Sequence, residues 1–381
     1  MAVPLLDLKA QWAQIGPEVK AALEAVYDSQ GFIMGPILKR FEAEVAEYCG
    51  TTHAIGCASG SDALVLSLMA LDIGPGDEVI VPAFTFFATA GAVSRVGARP
   101  VFADIDPVSY NLAPSEIDRL STPRTKAVIP VHLFGQCAEM ESILAASRRH
   151  HLHIVEDAAQ SIGARYQGLR VGQLGGDIVT FSFYPTKNLG AMGDGGMCVT
   201  NDDELAERLF ILRNHGAKPK YYNRLVGMNS RLDALQAAAL SVKLKYLEQW
   251  HESRRRNAAR YDKLLADIPG IDTPRIAPHC ESIYNQYTIR LKDGKRDGVR
   301  GGLKERGIGT ELYYPLSLHL QECYRELGGE PGDLPHTELA CREALSIPIY
   351  PELTATQQEE VAEALGELIQ SIPATPLEAQ A

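Results

Sequence analysis

The stretch IVTFSFYPTKNLGAMGDGG, residues 178–196, joins two textures. Its first seven residues, Ile178 to Tyr184, are β-branched, aromatic and apolar on both faces. That is how a strand covered on two sides reads. Pro185 halts the run, and Lys187 stands just beyond it. Asn188 and the glycines at 190, 193, 195 and 196 make a loop able to pass close to a ligand. A lysine at a strand end, in an enclosed site, can be a Schiff-base nucleophile once its amine is made less basic. A loop lysine taken alone is a solvated surface group, so the rest of the chain must decide.

Working outward, similar short apolar runs recur: HAIGC (53–57), EVIVP (78–82), RPVFAD (99–104), KAVIPVH (126–132), LHIVED (152–157) and GMCVT (196–200). Helical segments lie between several of them. In Asp62–Leu71, Leu64, Leu68 and Leu71 fall at helical spacing, and Glu139–His150 and Asp203–Asn214 are of similar length. Strand–helix alternation predicts a three-layer α/β/α domain around a mostly parallel, seven-stranded sheet. From Arg231 the texture changes. RLDALQAAALSVKLKYLEQW carries apolar residues at 232, 235, 239, 242 and 246 and predicts one long amphipathic helix. A second helix is expected over Glu252–Asp267, a strand within 284–291, and a last helix opened by a Thr356…Glu359 capping box. The predicted division is a large domain over 1–250 and a smaller α+β domain over 251–381, ending in the tail ATPLEAQA.

Composition narrows the function. The 37 basic and 48 acidic residues leave a net charge of −11, which argues against broad attraction to nucleic acid or an anionic membrane. A local nest of amides can still hold a small anion. No apolar run approaches the roughly 18 residues of a membrane span, and MAVPLLDLKAQW lacks the pattern of a signal peptide. Seven scattered cysteines without a CxxC pair signal neither a metal site nor a disulfide framework. These features predict a reduced, cytoplasmic protein.

Three further segments bear on Lys187. LHIVED ends in Glu156 and Asp157, with Gln160 three residues on, and ligands of open α/β sheets bind beyond the carboxyl ends of strands. Taken alone, Asp157 is equally the cap of a helix. ASGSDAL (58–64) follows a strand and opens a helix, which suits one phosphate. Its plainer reading is an N-cap at Ser61 or Asp62. The segment has neither the Walker pattern nor the dinucleotide fingerprint. Ser182 and Ser59–Ser61 could share the phosphate. PAFTFFATA offers an aromatic, with Phe86 preferred over Phe84 and Phe87. A phosphate cradle, a carboxylate at one strand end and a lysine at another are the three groups that pyridoxal phosphate requires.

The chain resembles the DegT/StrS-type sugar aminotransferases of the fold-type-I, aspartate-aminotransferase-like superfamily. The resemblance covers nearly the whole chain. It rests on VPLLDLKAQ, FIMGPILKRFEAEVAEYCG, SGSDAL, PGDEVIVPAFTFFATA, PVHLFGQ, IVEDAAQSIGA, SFYPTKNLGAMGDGG and MNSRLDALQAA. It implies that Lys187 bonds the cofactor's aldehyde and that Asp157 holds the pyridinium nitrogen. Gln160 would contact the ring hydroxyl, and Phe86 would stack on the ring. Ser182 and the amides of Gly60 and Ser61 would hold the phosphate. Asn229 would reach the cofactor of the partner subunit in a homodimer. The resemblance further implies a nucleotide-linked keto-sugar as acceptor, on dTDP or UDP, and L-glutamate as amino donor. The form SFYPTKNLGAxGDGG is closer to relatives acting at C3 of the hexose than to those acting at C4. Ser61 departs from the commoner SGTDAL but keeps the hydroxyl.

Arg231 could meet an anionic substrate group or stabilise a helix start. Tyr313, Tyr314 and His319 fall where relatives approach the sugar. His132 and His215 are read as structural, and Arg254–Arg256 as a solvated helix face. A dehydratase of the same fold would carry histidine at position 187. A regulator that has kept the fold is the remaining alternative.

Overall fold

The computed structural model describes residues 2–374, so the tail beyond Ala374 lies outside the described residues. The seven expected strands form one sheet: β1 (His53–Cys57), β2 (Glu78–Pro82), β3 (Arg99–Ala103), β4 (Thr125–Val128), β5 (His153–Asp157), β6 (Ile178–Ser182) and β7 (Gly196–Thr200). Their spatial order is β1-β7-β6-β5-β4-β2-β3. The pairs β2–β3, β2–β4, β4–β5 and β5–β6 are parallel. β7 alone runs against its neighbours β1 and β6. Four of the seven strands are shorter than the apolar runs that predict them. Pro130 and Pro185 mark two early stops, because proline lacks the N–H a ladder needs.

Helices α1 (Leu8–Ser29), α2 (Pro36–Cys49), α3 (Gly60–Ala70), α4 (Ala88–Arg95), α5 (Ser115–Leu120), α6 (Met140–His150) and α7 (Asp203–Leu212) belong to this sheet domain. α3 is apolar almost all round, with seven of its eleven residues buried, as befits a helix packed between layers. Its N-cap is Ser59, whose Oγ accepts from the Asp62 amide at 3.0 Å. The helix thus starts two residues before the Asp62 of the sequence reading.

Two helices follow Arg231 as expected, α8 (Ala234–Leu244) and α9 (Leu247–Leu265), but the break between them falls at Lys245–Tyr246, ahead of the expected second start at Glu252. No glycine or proline marks the break. Lys245 and Tyr246 close α8 with tightened bonds to Val242 and Lys243, three residues back. Its first turns contribute Leu247 and Trp250 to the core of the seven-stranded sheet. Its later turns contribute Ala258, Tyr261 and Leu265 to a second core.

That second core packs a three-stranded sheet, β8 (Ile271–Asp272), β9 (Tyr287–Leu291) and β10 (Ala344–Ile347), against α10 (Arg296–Glu305) and α12 (Ala355–Ser371). α11 (Pro335–Glu343) leads into β10. The chain's beginning crosses to this core through Val3, which pairs with Ile308. The capping box of α12 uses Thr354 and Gln357 instead of Thr356 and Glu359. Both pairs have the right spacing, and the backbone of Thr354 is the one in extended geometry. Arg254 corrects the reading of Arg254–Arg256 as a solvated face. Its guanidinium is buried and donates to the carbonyls of Tyr284 and Ile349 at 3.0 and 2.9 Å; Arg256 is exposed.

Candidate active site

The carboxyl ends of the parallel strands and the incoming end of β7 share one edge of the sheet. There the structure holds a cavity of about 480 Å³. Gly60, Ser61, Phe86, Asp157, Gln160, Ser182, Lys187, Tyr313 and Tyr314 all line it. These come from five separate segments, brought together by the topology.

Lys187 sits in a tight turn after β6. Its amide donates to the Tyr184 carbonyl at 2.8 Å, and the Ala191 amide returns to the Phe183 carbonyl at 2.7 Å. A Cβ on Gly190 would lie 2.3 Å from the Pro185 carbonyl oxygen, so the turn closes only with glycine there. Removal from water depresses the Lys187 amine from 10.5 to about 8, and the Asp157 carboxylate opposes part of that fall. An amine so shifted is neutral for a useful fraction of the time near neutrality, as a nucleophile or proton carrier requires.

Asp157 and Glu156 are consecutive on β5 and face opposite sides of the sheet. Asp157 Oδ2 accepts from Thr89 Oγ1 at 2.8 Å, and Oδ1 from the Ala159 amide at 3.1 Å. The second contact makes a local turn, since no helix follows. Burial raises the acid's pKa, while these two donors and Lys187 pull it back. Glu156, fully buried, pairs instead with His132 Nε2 at 2.9 Å and accepts from the Gly176 amide at 2.8 Å. His132 Nδ1 accepts from the Ala138 amide at 3.0 Å, which places the ring hydrogen on Nε2, toward Glu156.

The start of α3 forms the anion end of the cavity. Ser59 Oγ occupies the Asp62 amide, and the amides of Gly60 and Ser61 have no acceptor among the described residues. A Cβ on Gly60 would come 2.6 Å from Ser182 Cβ, and one on Gly196 would lie 2.3 Å from the Ser59 carbonyl carbon. Glycine is therefore what lets β6, β7 and α3 converge. Free amides, a helix dipole and the Ser61 and Ser182 hydroxyls match a phosphate monoester. With Asp157 and Lys187 on the same cavity, these residues fit pyridoxal phosphate.

Gln160 Oε1 accepts from the Phe134 amide at 2.7 Å, and Nε2 donates to Tyr314 OH at 3.3 Å. Of the three phenylalanines in PAFTFFATA, Phe86 lines the cavity. Phe84 is buried against Tyr110 and Phe134, and Phe87 stacks on Tyr324. Thr85 and Thr89 were missed. They lie four residues apart in that same segment and bond each other at 3.2 Å, and Thr89 reaches Asp157. Their separation by four residues, Thr85 ahead of α4 and Thr89 in its first turn, is the available signal.

Three expected residues do not line the cavity within this chain. Asn229 is exposed, while its neighbour Ser230 donates to Asp62 at 2.7 Å and accepts from the Ala58 amide at 3.1 Å. Arg231 donates to Asn214 Oδ1 at 3.0 Å. His319 is buried beside Ser317 and 3.5 Å from Glu338, away from the cavity. His215 is exposed. Among the described residues there is no group of metal-ligating side chains, and no helix is long and apolar enough to cross a membrane.

A lysine and a buried carboxylate set beside a helix N-terminus on this sheet order define a fold-type-I aminotransferase framework. The chain belongs to the DegT/DnrJ/EryC1/StrS aminotransferase family, whose model matches residues 13–366. It is 47% identical to the dTDP-3-amino-3,4,6-trideoxy-alpha-D-glucose transaminase of Streptomyces venezuelae, over 96% of both chains. It is 52% identical to a Geobacillus stearothermophilus protein named pleiotropic regulatory protein, over 96% of this chain and 98% of that one. The crystal structure of S. venezuelae DesV in complex with a ketimine intermediate superposes with a TM-score of 0.94 at 46% identity. It covers 98% of this chain and 100% of that one.

Proposed function

We propose that the protein uses pyridoxal phosphate to transfer the amino group of L-glutamate to a nucleotide-linked keto-sugar, on dTDP or UDP, at C3 of the hexose. The observation that carries this reading is the convergence of Lys187, Asp157 and the start of α3 on one cavity. Bound there, the cofactor supplies an electron sink for the pair released at the donor's Cα. Asp157 holds the proton on the ring nitrogen. Lys187 would hold the cofactor through its aldehyde, and its amine, when free, would move the proton at the donor's Cα. Gly60, Ser61 and Ser182 anchor the phosphate, Phe86 covers the ring, and Gln160 faces the ring hydroxyl. Tyr313 and Tyr314, on the cavity wall, would meet the sugar. In a homodimer, Asn229 and Arg231 of one protomer would serve the site of its partner; Asn229 is exposed, as that role requires. Support for C3 comes from the SFYPTKNLGAMGDGG form of the lysine loop and from the 3-amino product in the S. venezuelae relative's name.

The name of the Geobacillus relative favours a second reading, a regulator that has kept the fold. One experiment separates the two. Protein loaded with the cofactor should absorb in the visible, and L-glutamate should bleach that band. A panel of dTDP- and UDP-linked 3-keto and 4-keto sugars should then restore it, the 3-keto members fastest. An unchanged band with every amino donor would exclude the aminotransferase reading, and restoration by 4-keto sugars alone would overturn the regiochemistry.

A further inference from the structure

Lys243, on α8, is buried, and its ammonium donates to the Gly190 carbonyl at 2.6 Å. Among the described residues no carboxylate lies within ion-pair distance of it. Burial alone pulls its pKa down to about 8. An unpaired buried cation is costly, and an aliphatic side chain would fill the same space more cheaply. Its acceptor is no ordinary carbonyl. Gly190 closes the turn that carries Lys187, with no room for a side chain against Pro185. Two turns earlier on the same helix face, Gln236 Oε1 accepts from the Met192 amide at 2.8 Å. From another side, Asn188 Nδ2 donates to the Ile283 carbonyl at 3.1 Å. The segment leading into α8 is tied down in turn, because Ser230 bridges Asp62 and the Ala58 amide at the start of α3.

We infer that Lys243 and Gln236 form a clamp on the back of the lysine loop, and that Lys243 is a positioning residue for Lys187, acting through the Gly190 carbonyl. The clamp concerns this chain's own loop. Its effect on turnover rests on the aminotransferase reading, but its effect on loop mobility does not. Lys243 touches neither the cavity wall nor the reacting atoms.

The test compares Lys243→Met, Lys243→Arg and Gln236→Leu with the wild type. Amide hydrogen exchange is measured first, in cofactor-free protein. Lys243→Met and Gln236→Leu should each speed exchange over residues 186–193 by about tenfold, the factor expected for one lost hydrogen bond. Exchange in the central sheet should not change. In cofactor-loaded protein, the pH midpoint of the visible band should move in Lys243→Met, and kcat should fall about tenfold with both KM values held within about twofold. Lys243→Arg, which keeps a donor, should recover part of each effect. Unchanged exchange over 186–193 would overturn the clamp whatever the cofactor does. Faster exchange spread over the whole sheet, or a Lys243→Met chain that fails to fold, would also overturn it, by making Lys243 a determinant of the fold. Local loosening with an unmoved band and normal kcat would overturn the positioning of Lys187 alone.

Discussion

β5 has two faces, and its last two residues belong to different worlds. Glu156 looks into packed protein, where His132 and the Gly176 amide satisfy it completely. Asp157 looks into the cavity, where burial works against its charge and Lys187 stands opposite. Both are buried carboxylates a single residue apart. The first is placed for stability. The second carries an unfavourable charge that a ligand could use, and a perturbed acid beside a perturbed amine in a cavity marks a functional site.

That contrast can be broken by mutation. The largest effect is expected on the cavity face. Lys187→Ala should lower transamination by ~10³-fold or more, since it removes the proposed proton carrier, with no loss of melting temperature. Asp157→Ala should follow with a loss of ~10²-fold in kcat, again without destabilising the cofactor-free fold. On the other face, Glu156→Ala should behave oppositely. It strands the buried His132 N–H and the Gly176 amide, and should cost about 3 kcal/mol in denaturant unfolding while kcat stays within a few-fold. If Glu156→Ala instead abolished activity at full stability, the division between the faces would fail. Thr89→Val, a smaller probe, deletes one donor to Asp157 and should change kcat by less than about tenfold, with a rise in the pH at which Asp157 ionises.

A pH series sharpens the same comparison. Lys187 titrates near 8 in the folded chain and near 10.5 when unfolded. Between those values the unfolded state binds the extra proton, so stability rises with pH across that window. Cofactor-free wild type should therefore gain more stability from pH 8 to 10 than Lys187→Ala does. Equal slopes in thermal melts would show that Lys187 is not desolvated. The raised pKa of Asp157 has the reverse sign. The folded state holds the proton longer, so stability from this group falls as pH rises above the ordinary aspartate range.

The cavity face is legible in the sequence because a lysine, a carboxylate and a glycine-lined helix start occur together at strand ends of one α/β unit, where ligands bind. Asp157, Lys187 and Gly60 stand where a strand stops and Gly196 where one starts, and topology brings these ends together. Other features left weaker traces. The break between α8 and α9 carries no breaker residue, so the apolar spacing runs on through Tyr246 while the backbone turns. Two threonines two residues apart could each have capped α12, and only the fold chose Thr354. A charge run predicts a solvated Arg254, yet three backbone carbonyls near the second core give its guanidinium a reason to be inside. Thr89 was hidden by the aromatic residues that surround it in the chain. His319 shows the converse, a chemically attractive residue that packing has placed elsewhere.

The lone antiparallel strand has a consequence for the order of assembly. β7 pairs residue 200 with residue 53, so the β1 edge of the sheet closes only after both ends of that long stretch exist. Contacts so far apart in the chain are slow to form, whereas β6 and β7 are joined by a short excursion and can pair early. The lysine loop should thus take shape before the start of α3 is brought against it. During synthesis, the ability to hold a phosphate would be among the last properties of the sheet domain to appear, a late mark that its chain order has been completed correctly.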